Sequence, residues 1–367
     1  MILMNDFKAE PQALRDAMLD AAKRVIDSGW YVLGKEVEAF EEKWATACGV
    51  VHAVGVGNGM DAIEIALRAL GVGHGDEVIT TPMTAFATVL AIMRSGATPV
   101  LADIDPNTAL LSLNSAERCV SPRTRAVVLV HLYGQIRHMN AWEAFCNRHG
   151  ISLVEDCAQA HLSQWKNRTA GSFGEIGTYS FYPTKNLGAL GDAGILVTNN
   201  AKLAEAAGCL RNYGQSVRYH HPELGLNSRL DELQAAILGE RLRWLPEFTE
   251  RRRRVAEMYR SGINNPRVKQ LAAPEYQGSH VFHLYVITCE QREALQRHLQ
   301  HNHVQSLIHY PIPVHMQEPC RNIARDPHGL SQSDAHAATC LSLPCHPQMT
   351  DDDVCRVIDS VNTFETT

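Results

Sequence analysis

The sequence predicts an α/β protein in which a mostly parallel sheet is flanked by helices and followed by a smaller α+β domain. Between residues 50 and 200, apolar strands alternate with helical segments, a pattern typical of parallel sheets because each crossover carries a helix. The chain has 367 residues, more than one hydrophobic core usually serves, so two domains are expected. Pro246 ends an amphipathic stretch, and we therefore expect a large domain over 1–245 and a small domain over 246–367.

Hydrophobic periodicity places the elements of the large domain in order. Two amphipathic helices come first, at Gln12–Asp27 and Lys35–Cys48, with a turn at SGWYVLG between them. The alternating series follows, with predicted strands at Val50–Val56, Glu77–Thr81, Pro99–Ala102, Ala126–His131, Ser152–Glu155 and Thr178–Tyr182 and predicted helices at Met60–Leu70, Thr84–Ser95 and Asn140–His149. A strand at ILVTNN and helices at Ala201–Asn212 and Leu230–Leu245 complete the domain. Ligands of such sheets bind at the carboxyl ends of the strands, and we expect the site there.

The small domain is predicted from shorter patterns. Strands are expected at His283–Thr288 and Ser306–Pro311, with a helix at Arg292–Asn302 between them. The segment HGLSQSDAH is expected to be a loop, and a final helix should follow Thr350 because Asp351–Asp353 suit a helix N-terminus.

Composition excludes several classes of protein. Hydrophobic residues make up 45% and charged residues 20%, as in ordinary globular proteins, and the net charge of −6 predicts no nucleic-acid partner. The run Arg251–Arg254 is interpreted as a solvated helix face. The ten cysteines form no CxxC pair and no signal peptide is evident, so we expect reduced thiols and a cytoplasmic protein. No stretch is long enough to span a membrane, and without an HExxH motif no metal is expected.

The stretch TYSFYPTKNLGALGDAG places one lysine at the end of a strand. Pro183 ends the strand and the glycines that follow exclude a helix directly afterwards. Lys185 is therefore expected between buried walls, where loss of hydration lowers the pKa of an ammonium toward neutrality. A lysine that is partly neutral can form a Schiff base. The alternative is a lysine that caps a turn or pairs with Asp192.

A glycine-rich turn, Gly55-Val-Gly-Asn-Gly59-Met60, lies between a strand and a helix. Backbone N–H groups and the helix N-terminus can bind a phosphate there. The GxGxxG spacing fails, and the next strand, EVITTP, ends without an acidic residue, so a dinucleotide site is not expected.

The sequence VEDCAQ puts Asp156 at the mouth of a central strand. Asp156 could merely cap a helix, or its carboxylate could face the pyridine nitrogen of pyridoxal phosphate, a pairing that accompanies a lysine Schiff base. A charge pair at 4 Å is worth about 4 kcal/mol at an effective dielectric of about 20, enough to keep the ring protonated. Ser180 is a candidate phosphate ligand five residues before Lys185. The combination of a phosphate-binding turn, an acid and a lysine, in this order along the chain, indicates pyridoxal phosphate more specifically than any one of the three does.

These motifs resemble those of the DegT-type sugar aminotransferases, pyridoxal-phosphate enzymes that aminate nucleotide-linked keto sugars. The resemblance covers about Trp30 to Leu245, with weaker similarity afterwards, and is carried by NGMDAIEIALRAL, GHGDEVITTP, VHLYGQIRHMN, VEDCAQAH, SFYPTKNLGALGDAG and GLNSRLDELQAAIL. It implies an aspartate-aminotransferase-like large domain built on a seven-stranded, mostly parallel sheet.

The resemblance also implies a role for each candidate residue. Lys185 would form the Schiff base and shuttle the proton, Asp156 would pair with the ring nitrogen, and Gln159 would contact the phenolic oxygen. The phosphate would be bound by Ser180, by the amides of Gly59 and Met60, and by Asn227 of a neighbouring subunit, in a homodimer with shared active sites.

Two positions depart from the family pattern. Relatives usually place an aromatic residue directly after the threonine at position 84, to stack on the cofactor ring. Here Ala85 stands there and Phe86 follows. One step along a helix turns a side chain by about 100°, so Phe86 is the candidate for stacking and the stacking residue stays open. Leu162 also replaces a common glycine.

The resemblance favours glutamate as donor and a thymidine-diphosphate 3-keto-6-deoxyhexose as acceptor. C3-specific relatives tend to carry NGM at the phosphate turn and a HYPxPxH loop, and both are present. Tyr182, His309, Tyr310 and His315 would line the sugar pocket, although the two histidines could instead lie on a polar loop surface. The alternatives are a 4-keto sugar aminotransferase and a non-catalytic regulatory or sensor protein. A dehydratase on this fold usually has histidine in place of the lysine.

Overall fold

The computed structural model describes residues 1–365. Its helices are α1 (Gln12–Ser28), α2 (Lys35–Cys48), α3 (Gly59–Ala69), α4 (Phe86–Arg94), α5 (Leu113–Arg118), α6 (Met139–His149), α7 (Ala201–Leu210), α8 (Glu232–Arg241), α9 (Leu245–Gly262), α10 (Arg292–His301), α11 (Ser331–Thr339) and α12 (Asp351–Asn362). Short 3-10 turns lie at Phe7–Ala9, Leu132–Gly134, Leu242–Trp244, Gln277–Ser279, Val314–Met316 and Glu318–Cys320.

The strands form one large sheet and two small ones. They are β1 (His52–Val56), β2 (Glu77–Thr80), β3 (Thr98–Leu101), β4 (Thr124–Val130), β5 (Ser152–Asp156), β6 (Gln164–Trp165), β7 (Arg168–Thr169), β8 (Ile176–Ser180), β9 (Gly194–Thr198), β10 (Lys269–Gln270), β11 (Tyr285–Thr288), β12 (Ala324–Arg325) and β13 (Cys340–Leu343). The large sheet has the order β1-β9-β8-β5-β4-β2-β3-β12, and β10-β11-β13 and β6-β7 form the others. An eighth, two-residue strand from the C-terminal part thus extends the predicted seven-stranded sheet.

The large sheet is parallel from β8 to β12, whereas β9 runs antiparallel to both β1 and β8. In the parallel part Asp156 on β5 lies opposite Thr178 on β8 and Val130 on β4. The carboxyl ends of these three central strands therefore meet at one edge, and the segment that carries Lys185 leaves β8 there.

Helices cover both faces of the large sheet. Val127 and Leu129 of β4 pack with α2, α6 and α8, in a cluster that includes Phe40, Trp44 and Tyr179. The alternate residues of the strand, Ala126 and Val128, pack with α3, α4 and α7 on the other face. The two-residue period of a strand thus produces three layers, as the sequence predicted.

A separate apolar cluster occupies the C-terminal part. It draws on α9, α10, α12, β11 and β13, with Ile2 as its contribution from the N-terminus. Pro246 lies in the first turn of α9, where its missing N–H costs nothing, so it begins a helix as well as following one. The domain boundary at 245/246 stays a prediction.

Two predictions in the C-terminal part are wrong. Ser306–Pro311 is not a strand, because apart from one bridge between Leu307 and Ser342 it makes no ladder in the described residues. The carbonyl of His309 accepts a side-chain bond from Tyr133 instead. The segment expected as a loop contains helix α11, since Asp103 accepts hydrogen bonds from the amides of Gln332 and Ser333 in its first turn. Such a long-range cap has no local signature.

Within residues 1–365, no helix combines the length and apolar character needed to cross a membrane.

Candidate active site

A tight turn after β8 positions Lys185 at the candidate site. The turn closes through bonds from the Lys185 amide to the Tyr182 carbonyl (2.8 Å) and from the Ala189 amide to the Phe181 carbonyl (2.8 Å). A Cβ on Gly188 would collide with the backbone of Pro183, so the turn requires glycine there. The walls are apolar, since Phe181 and Leu187 are buried.

Burial lowers the pKa of Lys185 to about 8, and the nearby Asp156 carboxylate opposes this shift. Three histidines surround the same charge. Burial, reinforced by the Lys185 charge, lowers the pKa of His161 to about 3, that of His309 to about 4 and that of His283 well below its usual value. Asp192 is exposed and makes no ion pair with Lys185 in the described part of the chain, so the alternative pairing is wrong. Lys185 is thus an amine close to its own titration at neutral pH, among neutral imidazoles.

Asp156 ends β5 and is almost completely buried. Its Oδ1 accepts a hydrogen bond from the Ala158 amide at 3.1 Å and its Oδ2 accepts one from the Thr88 hydroxyl at 2.9 Å. The residues after it form turns and no helix, so the alternative that it caps a helix is wrong. Both oxygens of the acid are fixed, one by a local turn and one by a distant helix.

The glycine-rich turn has the geometry expected of an anion-binding site. The Asn58 side chain accepts from the Asp61 amide (2.8 Å), capping α3, while the Gly59 and Met60 amides have no acceptor within residues 1–365. A Cβ on Gly59 would lie 2.5 Å from Cβ of Ser180, so the turn packs directly against β8. Two amides without an acceptor in the described residues thus lie at a helix N-terminus that packs on Ser180, a place where an anion is favoured.

Gln159 connects the sheet edge to the C-terminal part. Its Oε1 accepts from the Tyr133 amide (2.6 Å), and its Nε2 donates to the Tyr310 hydroxyl (3.3 Å). Burial, with a contribution from Asp156, raises the pKa of Tyr310 to about 12. The Tyr133 hydroxyl donates to the His309 carbonyl (2.7 Å). His309 and Tyr310 are thus brought to the same edge as Asp156, Gln159 and Lys185.

Other candidates lie at the margin of this group. Tyr182 is 52% exposed, next to the Lys185 turn. Phe86 begins α4 and packs on the apolar cluster of Val89 and Val314. His315 is buried and lies 2.9 Å from Asp334. Asn227 is exposed, next to Ser228, whose hydroxyl accepts from the Gly57 amide (3.0 Å).

Several residues at the site were not predicted from the sequence. Thr88 bonds Asp156, and the His161 ring donates from Nε2 to the Ser180 carbonyl (3.0 Å). His283 bonds Asn186, the residue after Lys185 (3.1 Å). His161 lies inside the motif VEDCAQAH. Its neutral, buried state depends on the packing of Trp44, Tyr179 and Phe181 around it, and no local sequence pattern reveals that packing.

Glu155 anchors the strand beside Asp156. Its carboxylate accepts from His131 Nε2 (2.9 Å) and from the amides of Phe173 (2.7 Å) and Gly174 (2.9 Å). Burial opposes ionisation, but the bonds from His131 and Gly174 lower the pKa of Glu155. Donor atoms of His131, Glu155 and Cys157 lie within 4.8 Å of one another. Since burial raises the pKa of the Cys157 thiol well above its usual value and thiolate is the metal-binding form, this group is interpreted as an anchor.

The donor set fits pyridoxal phosphate. Three features of the described residues correspond to its aldehyde, ring nitrogen and phosphate: an amine that forms no ion pair, a buried acid with both oxygens fixed, and a helix N-terminus whose first amides have no acceptor.

Known proteins resemble the chain over nearly its whole length. A model of the DegT/DnrJ/EryC1/StrS aminotransferase family matches residues 12–362. The dTDP-3-amino-3,4,6-trideoxy-alpha-D-glucose transaminase of Streptomyces venezuelae is 41% identical, with 98% of this chain and 95% of the relative covered. The erythromycin biosynthesis sensory transduction protein EryC1 of Saccharopolyspora erythraea is 42% identical, with 94% of each covered. The dTDP-3-amino-3,6-dideoxy-alpha-D-galactopyranose transaminase of Aneurinibacillus thermoaerophilus is 41% identical, with 99% of each covered.

A solved structure shows the same fold. The crystal structure of S. venezuelae DesV in complex with a ketimine intermediate is 41% identical and has a TM-score of 0.95, covering 98% of this chain and 97% of that chain. The chain belongs to the DegT/DnrJ/EryC1/StrS aminotransferase family, and the predicted fold class, aminotransferase activity and pyridoxal-phosphate dependence are thereby confirmed.

Proposed function

We propose that this chain transfers the amino group of glutamate to C3 of a nucleotide-linked 3-keto-6-deoxy sugar, with thymidine diphosphate as the nucleotide. The observation that carries the proposal is the partly neutral Lys185 amine beside Asp156, in a chain 41% identical to two proteins named as dTDP-3-amino sugar transaminases. The NGM turn and the HYPIPVH loop favour the same position.

Each residue of the site has a definite task in this reaction. Pyridoxal phosphate, when bound, supplies an aldehyde that condenses with amines and a ring that withdraws electrons. Gly59, Met60 and Ser180 would hold the phosphate, and Asp156 would keep the ring nitrogen charged. The Lys185 Nζ, close to its own pKa of about 8, would take the proton from the α-carbon of the amino acid and deliver it to the carbon that is the aldehyde carbon of the free cofactor. In the second half-reaction it would take a proton from that carbon and deliver it to C3 of the sugar.

The sugar pocket is assigned to the C-terminal loop and the turn after β8. The His309 Nδ1 is bonded to the Ser342 hydroxyl (2.8 Å), and its pKa of about 4 keeps the ring neutral, so it suits a sugar hydroxyl. Tyr310 and Tyr182 complete the lining. His315 stays a predicted pocket residue, although its proximity to Asp334 makes support of the loop an equally specific role.

We also propose a homodimer in which Asn227 reaches the phosphate of the partner's site. A patch of exposed apolar side chains supports this assembly. Trp30, Tyr31, Leu190 and Leu233 are all exposed. They border one surface at the start of α8, because the Glu232 amide bonds the Tyr31 carbonyl (3.1 Å) and the Leu190 amide bonds the Gln234 side chain (2.8 Å). A patch of this kind marks an interaction site.

The test is incubation of the purified protein with glutamate and either the 3-keto or the 4-keto form of a thymidine-diphosphate 6-deoxy sugar. We expect mass spectrometry to show an amino sugar from the 3-keto compound only, and NMR to place the nitrogen at C3. Product from the 4-keto compound alone would replace the C3 assignment by the alternative. The Lys185→Ala variant is the control and should yield no product with either.

A regulatory function is the second candidate, because one relative is named a sensory transduction protein. A regulator needs no proton transfer by Lys185. Product formation by the wild type and its absence in Lys185→Ala would exclude a purely regulatory role, whereas no turnover by either would favour it. The cytoplasmic location stays a prediction.

A further inference from the structure

The hydroxyl groups of two threonines, at the N-terminal end of α4, form consecutive hydrogen bonds that end at the buried Asp156 carboxylate. The Thr84 and Thr88 hydroxyls are 2.8 Å apart, and the Thr88 hydroxyl is 2.9 Å from Oδ2 of Asp156. All three side chains are at least 95% buried. Thr84 lies two residues before α4 begins at Phe86, and Thr88 lies in the first turn of that helix.

The direction of these bonds follows from the number of protons available. A carboxylate only accepts hydrogen bonds and a hydroxyl has a single proton. Thr88 therefore donates to Asp156 when the acid is ionised, and Thr84 must then donate to Thr88. Both hydrogen bonds therefore run in the same direction, from Thr84 to Thr88 and from Thr88 to the Asp156 carboxylate.

The bond from Thr88 also decides how the acid is oriented. The Ala158 amide holds Oδ1 (3.1 Å) and the Thr88 hydroxyl holds Oδ2 (2.9 Å), so the carboxylate is fixed at both oxygens. One of these donors is backbone in the turn after β5, and the other is a side chain on α4. The Thr88 donor can be removed by a side-chain substitution that leaves the backbone amides unchanged, so Thr88 is the position at which the arrangement can be tested.

We propose that Thr88 is a positioning residue that holds the ionised Asp156 carboxylate against the ring nitrogen of the cofactor, with Thr84 orienting the Thr88 hydroxyl. The proposal rests on the proposed function, because it assumes that Asp156 faces that nitrogen. Lys185, Tyr310 and Cys157 are the other titratable groups whose pKa the Asp156 charge raises, and none of them is hydrogen-bonded to Thr88 in the described residues.

The test compares Thr88→Val, which keeps the shape and loses the donor, with Thr88→Ser, which keeps the donor. Each protein is reconstituted with pyridoxal phosphate labelled with ¹⁵N at the ring nitrogen, and solid-state NMR reports whether that nitrogen is protonated. We expect a protonated nitrogen in the wild type and Thr88→Ser, and a shift toward the unprotonated form in Thr88→Val. The kcat should fall about ten- to a hundredfold in Thr88→Val, since a bond to a charged group is lost, with KM for the sugar little changed. Thr84→Val should give a smaller change in the same direction.

The outcomes separate the inference from the function on which it rests. If the wild type binds no cofactor or shows an unprotonated nitrogen, the proposed function fails. If the wild type is protonated and Thr88→Val has the same ¹⁵N shift and kcat, the role of Thr88 is refuted. Should Thr88→Val fail to fold, as judged by circular dichroism, Thr88→Ala takes its place under the same two criteria.

Discussion

At the scale of single residues, two opposing effects set the pKa of Lys185. Removal from water lowers this pKa and the Asp156 charge raises it, and the resulting pKa is about 8. An ordinary lysine titrates at about 10.4, so the amine here is neutral in a useful fraction of molecules at neutral pH. That fraction is what a nucleophilic and proton-transferring lysine needs.

This balance predicts the pH dependence of amine reactivity in the cofactor-free protein. The reactive neutral form of Lys185 grows as pH rises through about 8, so its labelling by an amine reagent should reach half its maximum there. Mass spectrometry can follow the Lys185 peptide, with the exposed Lys202 as internal reference. Asp156→Asn removes the charge that raises the pKa, so the midpoint should move to lower pH. A midpoint that coincides with that of Lys202, or moves upward in Asp156→Asn, would contradict the account.

Some residues of the candidate site could be predicted from the sequence and others could not. Lys185 and Asp156 were predictable because their chemistry is unusual at a strand end. Thr88 was not, because a threonine in a helix is unremarkable until β5 brings Asp156 within 2.9 Å of it. The information lies in the packing of α4 on the sheet, which no local pattern carries.

At the scale of elements, the proposed phosphate site depends on close contact between α3 and β8. Gly59 begins α3, and Ser180 ends β8. With no side chain on Gly59, the free amides and the Ser180 hydroxyl can share one ligand. The proposed phosphate site is therefore a property of two elements packed together.

Gly59→Ala tests this contact. Its Cβ would be 2.5 Å from Cβ of Ser180, so the elements must separate. We expect the free energy of unfolding to fall by about 1–3 kcal/mol and the dissociation constant for pyridoxal phosphate to rise at least about tenfold. Gly208→Ala in α7 is the matched control, since a Cβ there meets nothing within 4 Å, and it should be neutral or stabilising by up to about 1 kcal/mol. Equal effects of the two substitutions, measured by urea unfolding and cofactor titration, would exclude the proposed phosphate site.

Seven strands of the large sheet could be predicted because each has a strong apolar pattern, and β1, β2, β3, β4 and β9 are also each followed by a helix. The C-terminal part was harder. Ser306–Pro311 has β-like residues, but its backbone is held by Tyr133 and by the bridge to Ser342. Helix α11 begins where the Asp103 side chain accepts a hydrogen bond from the Gln332 amide, 229 positions away in the chain. Long-range caps of this kind decide local structure without leaving a local signal.

At the scale of the whole molecule, the proposed dimer predicts that two damaged subunits can repair each other. Lys185→Ala removes the amine, and Asn227→Asp places a negative charge beside the partner's phosphate. Each variant alone should be inactive. Mixed dimers would contain one intact site, with Lys185 from one subunit and Asn227 from the other.

The measurement is activity after the two variants are mixed in equal amounts under conditions that exchange subunits. Half of the dimers are then mixed and each has one working site of two, so about a quarter of the wild-type activity should return. Mixing either variant with itself is the control. No recovery, despite proven exchange, would show that Asn227 does not serve the partner's site.

The central claim is that Lys185 holds pyridoxal phosphate and gives it up to an amino acid. Borohydride reduction of the cofactor-loaded protein fixes the cofactor to the lysine that carries it, and peptide mass spectrometry then locates the added mass. The account predicts labelling of Lys185 alone, which disappears when glutamate is added before reduction. Labelling of another lysine, or labelling of Lys185 that glutamate leaves unchanged, would contradict it.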